Sequence, residues 1–202
     1  MWNLKPSTSA IVVVDMQRDF VEEGRPMEVP MARKKAPAMR ELIDAARTAE
    51  LPIIFTQHVL FDDLNISPLE ASNNPRLESE GMRAGTDGIE IVPAMGARDS
   101  DYYVQKHRYD AFHNTRLETL LTNVRGYRAV DTVIVAGTLT EVCCESTARS
   151  AFMRDYKVVF ADDATGALSE SAQTATTNVI AKFFGRVMSN RDIITSFEGS
   201  RL

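Results

Sequence analysis

The stretch Ala10-Ile11-Val12-Val13-Val14-Asp15 is an unbroken apolar run, rich in β-branched residues, that ends in a carboxylate. A strand with one solvated face alternates apolar and polar side chains, whereas a strand covered on both faces does not. The run therefore predicts a central, fully buried strand. Thr132-Val133-Ile134-Val135-Ala136 repeats the pattern further along. Shorter runs at Pro52–Thr56, Tyr102–Lys106, Lys157–Ala161 and Arg186–Met188 complete a set of six predicted strands.

Segments of helical period fall between them. Ala36 to Ala49 puts Met39, Leu42, Ile43 and Ala46 on one face. Asn114 to Asn123, with Asn114 or Thr115 as cap, Glu141 to Arg154, and Ser169 to Phe183 are the other predicted helices. Strands alternating with helices imply βαβ units and a sheet covered on both faces. The expected architecture is α/β: a three-layer doubly wound fold with a mostly parallel six-stranded sheet, forming a single domain over 1–202. Residues Asp62 to Ala97 break the alternation with Pro68, Pro75 and Pro93 and several glycines and asparagines. Long irregular segments in compact domains are usually lids or binding loops, and that is the expectation here.

The chain has 202 residues, 44% hydrophobic and 25% charged, with a formal net charge of -5. This suits one domain with one sizeable core. A mildly acidic chain has no general attraction for phosphate backbones or anionic lipid, so nucleic acid and membranes are not expected partners. No apolar run approaches a membrane span. Met1 to Ser9 shows no basic region followed by an apolar stretch, so a cytoplasmic protein is expected. The only cysteines, Cys143 and Cys144, are adjacent. Neighbours rarely meet disulfide geometry, which points to reduced thiols.

Ligands of parallel sheets bind outside the carboxyl ends of the strands. That rule selects Asp15, Lys106 and the segment Gly137 to Cys143. If Thr140 caps the following helix, Cys143 lies in its first turn, where unpaired N–H groups favour a thiolate. Cys144 shares a stripe with Ala148, Ala151 and Phe152 and is expected in the core. Taken alone, both cysteines would be small buried residues; the strand–glycine–helix setting makes Cys143 a nucleophile candidate. Asp15 is either a strand-end carboxylate capping a loop amide or a general base. Lys106, facing a carboxylate and a thiolate, would hold both in their charged forms.

Three segments then resemble one family. Val12-Val13-Val14-Asp15-Met16-Gln17-Arg18-Asp19-Phe20 is similar to the opening motif of isochorismatase-like cysteine hydrolases. Gln105-Lys106-His107-Arg108-Tyr109-Asp110-Ala111-Phe112 resembles their lysine motif. The segment from Val135 to Ala151, with Gly137, Thr140, Cys143, Cys144 and Arg149, resembles their nucleophile motif. The three occur in order, and the resemblance runs from about Ser9 to Met188. It implies that Asp15, Lys106 and Cys143 form a catalytic triad. Asp15 would deprotonate Cys143, and the thiolate would attack a carbonyl to give a thioester that water cleaves. It also implies a cis peptide at Thr138–Leu139, with the Leu139 and Cys143 N–H groups as an oxyanion hole. Phe20 takes the position of an aromatic that packs on substrate, or else is a core residue. The resemblance further implies a homodimer or homotetramer.

Nicotinamidases of this superfamily hold a metal with an Asp and two His after the second strand. Here Thr56-Gln57-His58-Val59-Leu60 has His58 in place of the Asp and no spaced histidine partner, and one histidine does not make a zinc site. No metal and no cofactor are expected. His58 is a pocket or loop histidine on this reading, and His107 and His113 are surface or loop residues. The nucleophile motif looks most like that of ureidoacrylate amidohydrolases, although Leu139 and Glu141 replace smaller or polar residues. The expected function is cysteine-dependent cleavage of a C–N bond in a small amide or ureide. The alternatives are a nicotinamidase-like or isochorismatase-like hydrolase of another small substrate, or a non-catalytic binding protein. Tyr109 is a candidate for the pocket wall. Asn73, Arg76 and Arg83 are open to either a substrate carboxylate or solvent.

Overall fold

In the computed structural model, which describes residues 2–62 and 65–198, the decisive run forms β1 (Ser9–Val14), buried along its whole length. Its side chains alternate between two cores: Ile11 and Val13 enter one, Ala10, Val12 and Val14 the other. After it come α1 (Arg18–Val21), α2 (Pro30–Thr48), β2 (Ile53–His58), α3 (Pro68–Asn73) and β3 (Tyr102–Lys106). The second half contains α4 (Leu117–Asn123), β4 (Thr132–Thr138), α5 (Glu145–Phe152), β5 (Lys157–Gly166), α6 (Glu170–Phe183), β6 (Arg186–Met188) and α7 (Asn190–Glu198). The strand order is β3-β2-β1-β4-β5-β6, and every neighbouring pair is parallel. The α/β doubly wound architecture is thus as expected, with a sheet that is wholly rather than mostly parallel.

One face of the sheet is covered by α1, α2 and α7, through Phe20, Met39, Leu42, Ile43, Ile193 and Phe197. The other is covered by α4, α5 and α6, through Leu117, Leu121, Ala148, Ala151 and Ile180. No helix among the described residues is long and apolar enough to cross a membrane.

Several boundaries differ from expectation. α2 starts earlier, with Pro30 at its first position, where a fixed φ and a missing N–H cost nothing. α4 starts at Leu117, whose N–H is accepted by Thr115 Oγ1 at 3.1 Å; Asn114 caps nothing and has φ 52°. β5 continues past Ala161 to Gly166. Val135 pairs with Phe160 and Gly137 with Thr165, so β5 carries extra residues in an irregularity that Asp162 and Asp163 disguise in the sequence. α7 was not anticipated, although Ile193 and Phe197, four apart, give it a buried edge.

The excursion over 62–97 holds α3 and short 3₁₀ turns at Pro75–Glu78, Asp87–Ile89 and Pro93–Met95; Asp63 and Leu64 lie outside the described residues. It is fastened to the body. The Met82 N–H donates to Asp19 Oδ2 at 2.6 Å, Arg18 N–H to the Glu90 carbonyl at 2.9 Å, and Val92 N–H to the Met16 carbonyl at 2.9 Å. Leu77, Met82, Val92 and Met95 are buried beneath it.

Candidate active site

From β1 the chain moves outward to β2 and β3 on one side, and β4 then starts the other half against β1. The crevice at the carboxyl ends of β1 and β4 is the switch point at which such sheets bind ligands. Asp15 is the first residue beyond β1 and has φ 48°, uncommon for a residue with a side chain. Thr56 of β2 holds it twice: the Asp15 N–H donates to Thr56 Oγ1 at 3.1 Å, and that hydroxyl donates to Asp15 Oδ1 at 2.6 Å. Gly137 near the end of β4 has φ 114°, and a Cβ there would run into the Val14 backbone. Glycine therefore lets the two strand ends close together.

Lys106 closes β3 opposite His58, the last residue of β2. Its side chain is wholly buried and reaches across β2 to β1. Lys106 Nζ lies 2.6 Å from Asp15 Oδ2, 2.9 Å from the Arg108 carbonyl, 3.4 Å from His58 Nδ1 and 3.6 Å from Cys143 Sγ. A long side chain can place an ammonium two strands from its own backbone; no shorter cation could.

Cys143 comes from a wide π-type turn, Thr140–Cys144, between β4 and α5. The peptide Thr138–Leu139 is cis. Thr140 does not cap the helix, contrary to expectation: no side-chain cap is formed, and its hydroxyl donates to Gln173 Oε1 at 2.7 Å. Gln173 Nε2 in turn donates to Asp162 Oδ1 at 2.9 Å and Thr165 Oγ1 at 3.1 Å, which anchors the turn to β5 and α6. The Cys144 N–H donates to the Leu139 carbonyl at 2.9 Å, while the Leu139 N–H points at the Cys143 sulfur. Cys144 packs with Ala148 and Ala151 in the core; Phe152, expected on the same stripe, is instead 43% exposed.

The electrostatics revise one expectation. Burial pushes the Cys143 thiol up to about 12; Lys106 and the Leu139 N–H oppose this, and Asp15 adds to it. The turn is π-type rather than the first turn of an α-helix, and desolvation of the sulfur outweighs any dipole. The resting group is therefore a thiol beside a carboxylate. Burial alone would lower the Lys106 ammonium, but Asp15 and Cys143 more than offset it and the group is raised. Burial, then the charge of Lys106, pushes His58 well below its ordinary value, so it is neutral.

Phe20 is placed in the core on the α2 face of the sheet, whereas Cys143 belongs to the core on the opposite face. Tyr109 is 38% exposed and lines a cleft of about 300 Å³ with Glu70, Arg108, Asp110, His113 and Ser146. Arg83 bonds the Leu77 and Gly81 carbonyls and pairs with Asp62, Arg76 pairs with Glu80, and Asn73 bonds the Leu69 carbonyl. All three have structural partners. His107 and His113 meet edge to face, apart from the triad.

Among the described residues, Asp15, His58 and Cys143 bring three metal-type donor atoms within 4.8 Å of one another. The Lys106 ammonium contacts all three, so the cation position is already filled by the chain itself. Among the described residues, the Asp-and-two-His set of a nicotinamidase metal is not assembled around His58. Sequence reasoning passed over Thr56, Gln17 and Gln173. Gln17 pairs with the His58 backbone in both directions, at 2.7 and 3.0 Å, and locks the ends of β1 and β2 together. A polar residue inside an apolar strand, as in Ile53-Ile54-Phe55-Thr56, was the available signal for Thr56.

Comparison with known proteins agrees with this geometry. An isochorismatase domain matches residues 9–192. The ureidoacrylate amidohydrolase RutB of Agrobacterium fabrum is 32% identical over 94% of this chain and 90% of its own length. Nicotinamidase 3 of Arabidopsis thaliana is 31% identical over 83% of this chain and 78% of its own. The crystal structure of a cysteine hydrolase from Pseudomonas syringae pv. phaseolicola superposes with a TM-score of 0.91 at 30% identity, covering 99% of this chain and 97% of that one. The chain belongs to the isochorismatase-domain family and is a cysteine hydrolase of small amides, acting on C–N bonds other than peptide bonds.

Proposed function

We propose that this protein is a metal-independent amidohydrolase that cleaves a ureide or N-carbamoyl compound through a thioester on Cys143. The observation that carries this is the Lys106 ammonium, which touches both the Asp15 carboxylate and the Cys143 sulfur at the sheet's switch point. Asp15 takes the Sγ proton as sulfur bonds to the carbonyl carbon. The carbonyl oxygen becomes an oxyanion that the Leu139 and Cys143 N–H groups stabilise. The C–N bond breaks, and the proton on Asp15 passes to the departing amine. Asp15 then takes a proton from water, the hydroxide displaces sulfur, and the proton returns to Sγ with release of the acid. Lys106 pairs with the Asp15 carboxylate between these transfers.

The ureide class is supported by the similarity to RutB over nearly the whole chain. Metal independence is supported by Lys106, which holds the centre of the only donor cluster among the described residues. Tyr109 forms the wall of the entry cleft. Phe20 supports the loop after β1 from the core. Exposed Phe152, Met153 and Phe183 around one surface pocket support a homodimer or homotetramer, which light scattering of the purified protein tests. A screen of small amides and ureides for ammonia release, with and without EDTA, tests the activity. Release by ureides that persists in EDTA is expected. Loss of activity in EDTA contradicts metal independence, and release from nicotinamide alone contradicts the substrate class.

A further inference from the structure

The Lys106 ammonium has three protons and no acceptor of its own. Four acceptors surround it. Asp15 Oδ2 at 2.6 Å and the Arg108 carbonyl at 2.9 Å take two protons. The third is contested by His58 Nδ1 at 3.4 Å and Cys143 Sγ at 3.6 Å. His58 is fixed for the purpose: it is 3% exposed, and Gln17 clamps its backbone N–H and carbonyl. Nδ1 is the ring nitrogen that faces the ammonium, and as its acceptor it leaves the ring proton on Nε2, which is buried with no hydrogen-bond partner among the described residues.

The contest changes during turnover. In the resting enzyme sulfur can accept from Lys106. Once sulfur carries an acyl group it has lost its proton and its capacity for charge, and it is a poor acceptor. A buried ammonium proton without a partner is costly. We propose that His58 is a positioning residue for the second half of the reaction: its Nδ1 takes the third Lys106 proton in the acyl-enzyme and holds the ammonium against Asp15 while water attacks. The inference rests on the covalent mechanism proposed above. It assigns to His58 a role that acylation does not need, because the free sulfur then supplies the third acceptor.

The test uses the full-length enzyme and p-nitrophenyl acetate. Sγ displaces p-nitrophenolate to leave S-acetyl-Cys143, and water releases acetate. Rapid-quench mass spectrometry reads the adduct, and absorbance reads p-nitrophenolate. His58→Leu is expected to acylate at about the wild-type rate and to deacylate about 10- to 100-fold more slowly, the effect of losing one hydrogen bond to a charged group. His58→Asn, whose amide oxygen can stand near the Nδ1 position, is expected to restore most of the deacylation rate. Wild-type deacylation in His58→Leu overturns the inference. So does a fall in both steps that His58→Asn does not rescue, which is the mark of a merely structural residue. Absence of any adduct on Cys143 in wild type and variants overturns the covalent mechanism and this inference together.

Discussion

Lys106 Nζ and Asp15 Oδ2 stand 2.6 Å apart with both side chains fully buried. Their backbones end strands separated in the sheet by β2. The pair therefore ties the outer half of the sheet to its centre. It also places one positive charge against the group that must lose and regain a proton in each half-reaction.

Breaking that pair from one side strands a charge. Lys106→Met should destabilise the fold by about 3–5 kcal/mol and abolish turnover, because the Asp15 carboxylate is left buried without its partner. The double variant Asp15→Asn/Lys106→Met should recover much of the stability and none of the activity. Urea denaturation of the three proteins measures this. A single variant as stable as wild type would show that the pair is solvated in solution.

The thiol raised to about 12 gives a signed prediction for alkylation. Below that value the thiolate fraction rises about tenfold per pH unit, so the iodoacetamide rate at Cys143 should climb from pH 7 to pH 10 without a plateau. Asp15 raises the thiol and Lys106 lowers it. Asp15→Asn should therefore alkylate faster than wild type at pH 8 and yet fail to turn over. Slower alkylation in Asp15→Asn would mean that the carboxylate aids removal of the thiol proton more than its charge opposes the thiolate.

His58 makes stability depend on pH. Its folded-state value is pushed well below the ordinary 6.5, by burial first and Lys106 second. The unfolded chain then takes up the proton first as pH falls. Stability supplied by neutral His58 is complete above about pH 6.5 and declines below it, by up to about 1.4 kcal/mol per pH unit, until the folded value is reached. His107 is lowered too, so the comparison must be with His58→Asn. That variant should show a flatter loss between pH 6.5 and pH 5 in thermal denaturation. Identical slopes would place His58 in contact with water.

Gln173 holds the nucleophile turn through Thr140. Gln173→Leu removes the partners of Thr140, Asp162 and Thr165 together. It should cost about 1–3 kcal/mol and lower kcat more than it raises KM, since the displaced group is the turn bearing Cys143. Unchanged kcat with lowered stability would reduce Gln173 to a structural role.

The legible parts of the molecule were those where local pattern and global fold agree. β1 and β4 are unbroken apolar runs because both faces are covered, and their strand-end neighbours Asp15 and Cys143 could be named for that reason. The illegible parts arise where a residue acts across the fold. His58 reads in the sequence like any pocket or loop histidine beyond an apolar run, although it is the last residue of β2, and nothing nearby in sequence says that Lys106 will stand beside it. Thr140 has the chemistry of a cap, yet a glutamine on α6 takes its hydroxyl. β5 reads as ending at Ala161 because Asp162 and Asp163 interrupt the run, and only the irregular pairing with β4 carries it on to Gly166. The state of the Cys143 thiol depends on burial, which a sequence window does not contain.

The central claim is that Cys143 is the nucleophile of a C–N hydrolase. Cys143→Ala, assayed by ammonia release on whichever ureide or amide the wild-type enzyme turns over, tests it most directly. A fall in kcat of about 10³-fold or more with the fold intact is expected, the effect of removing a nucleophile. Hydrolysis at the wild-type rate by Cys143→Ala would contradict it.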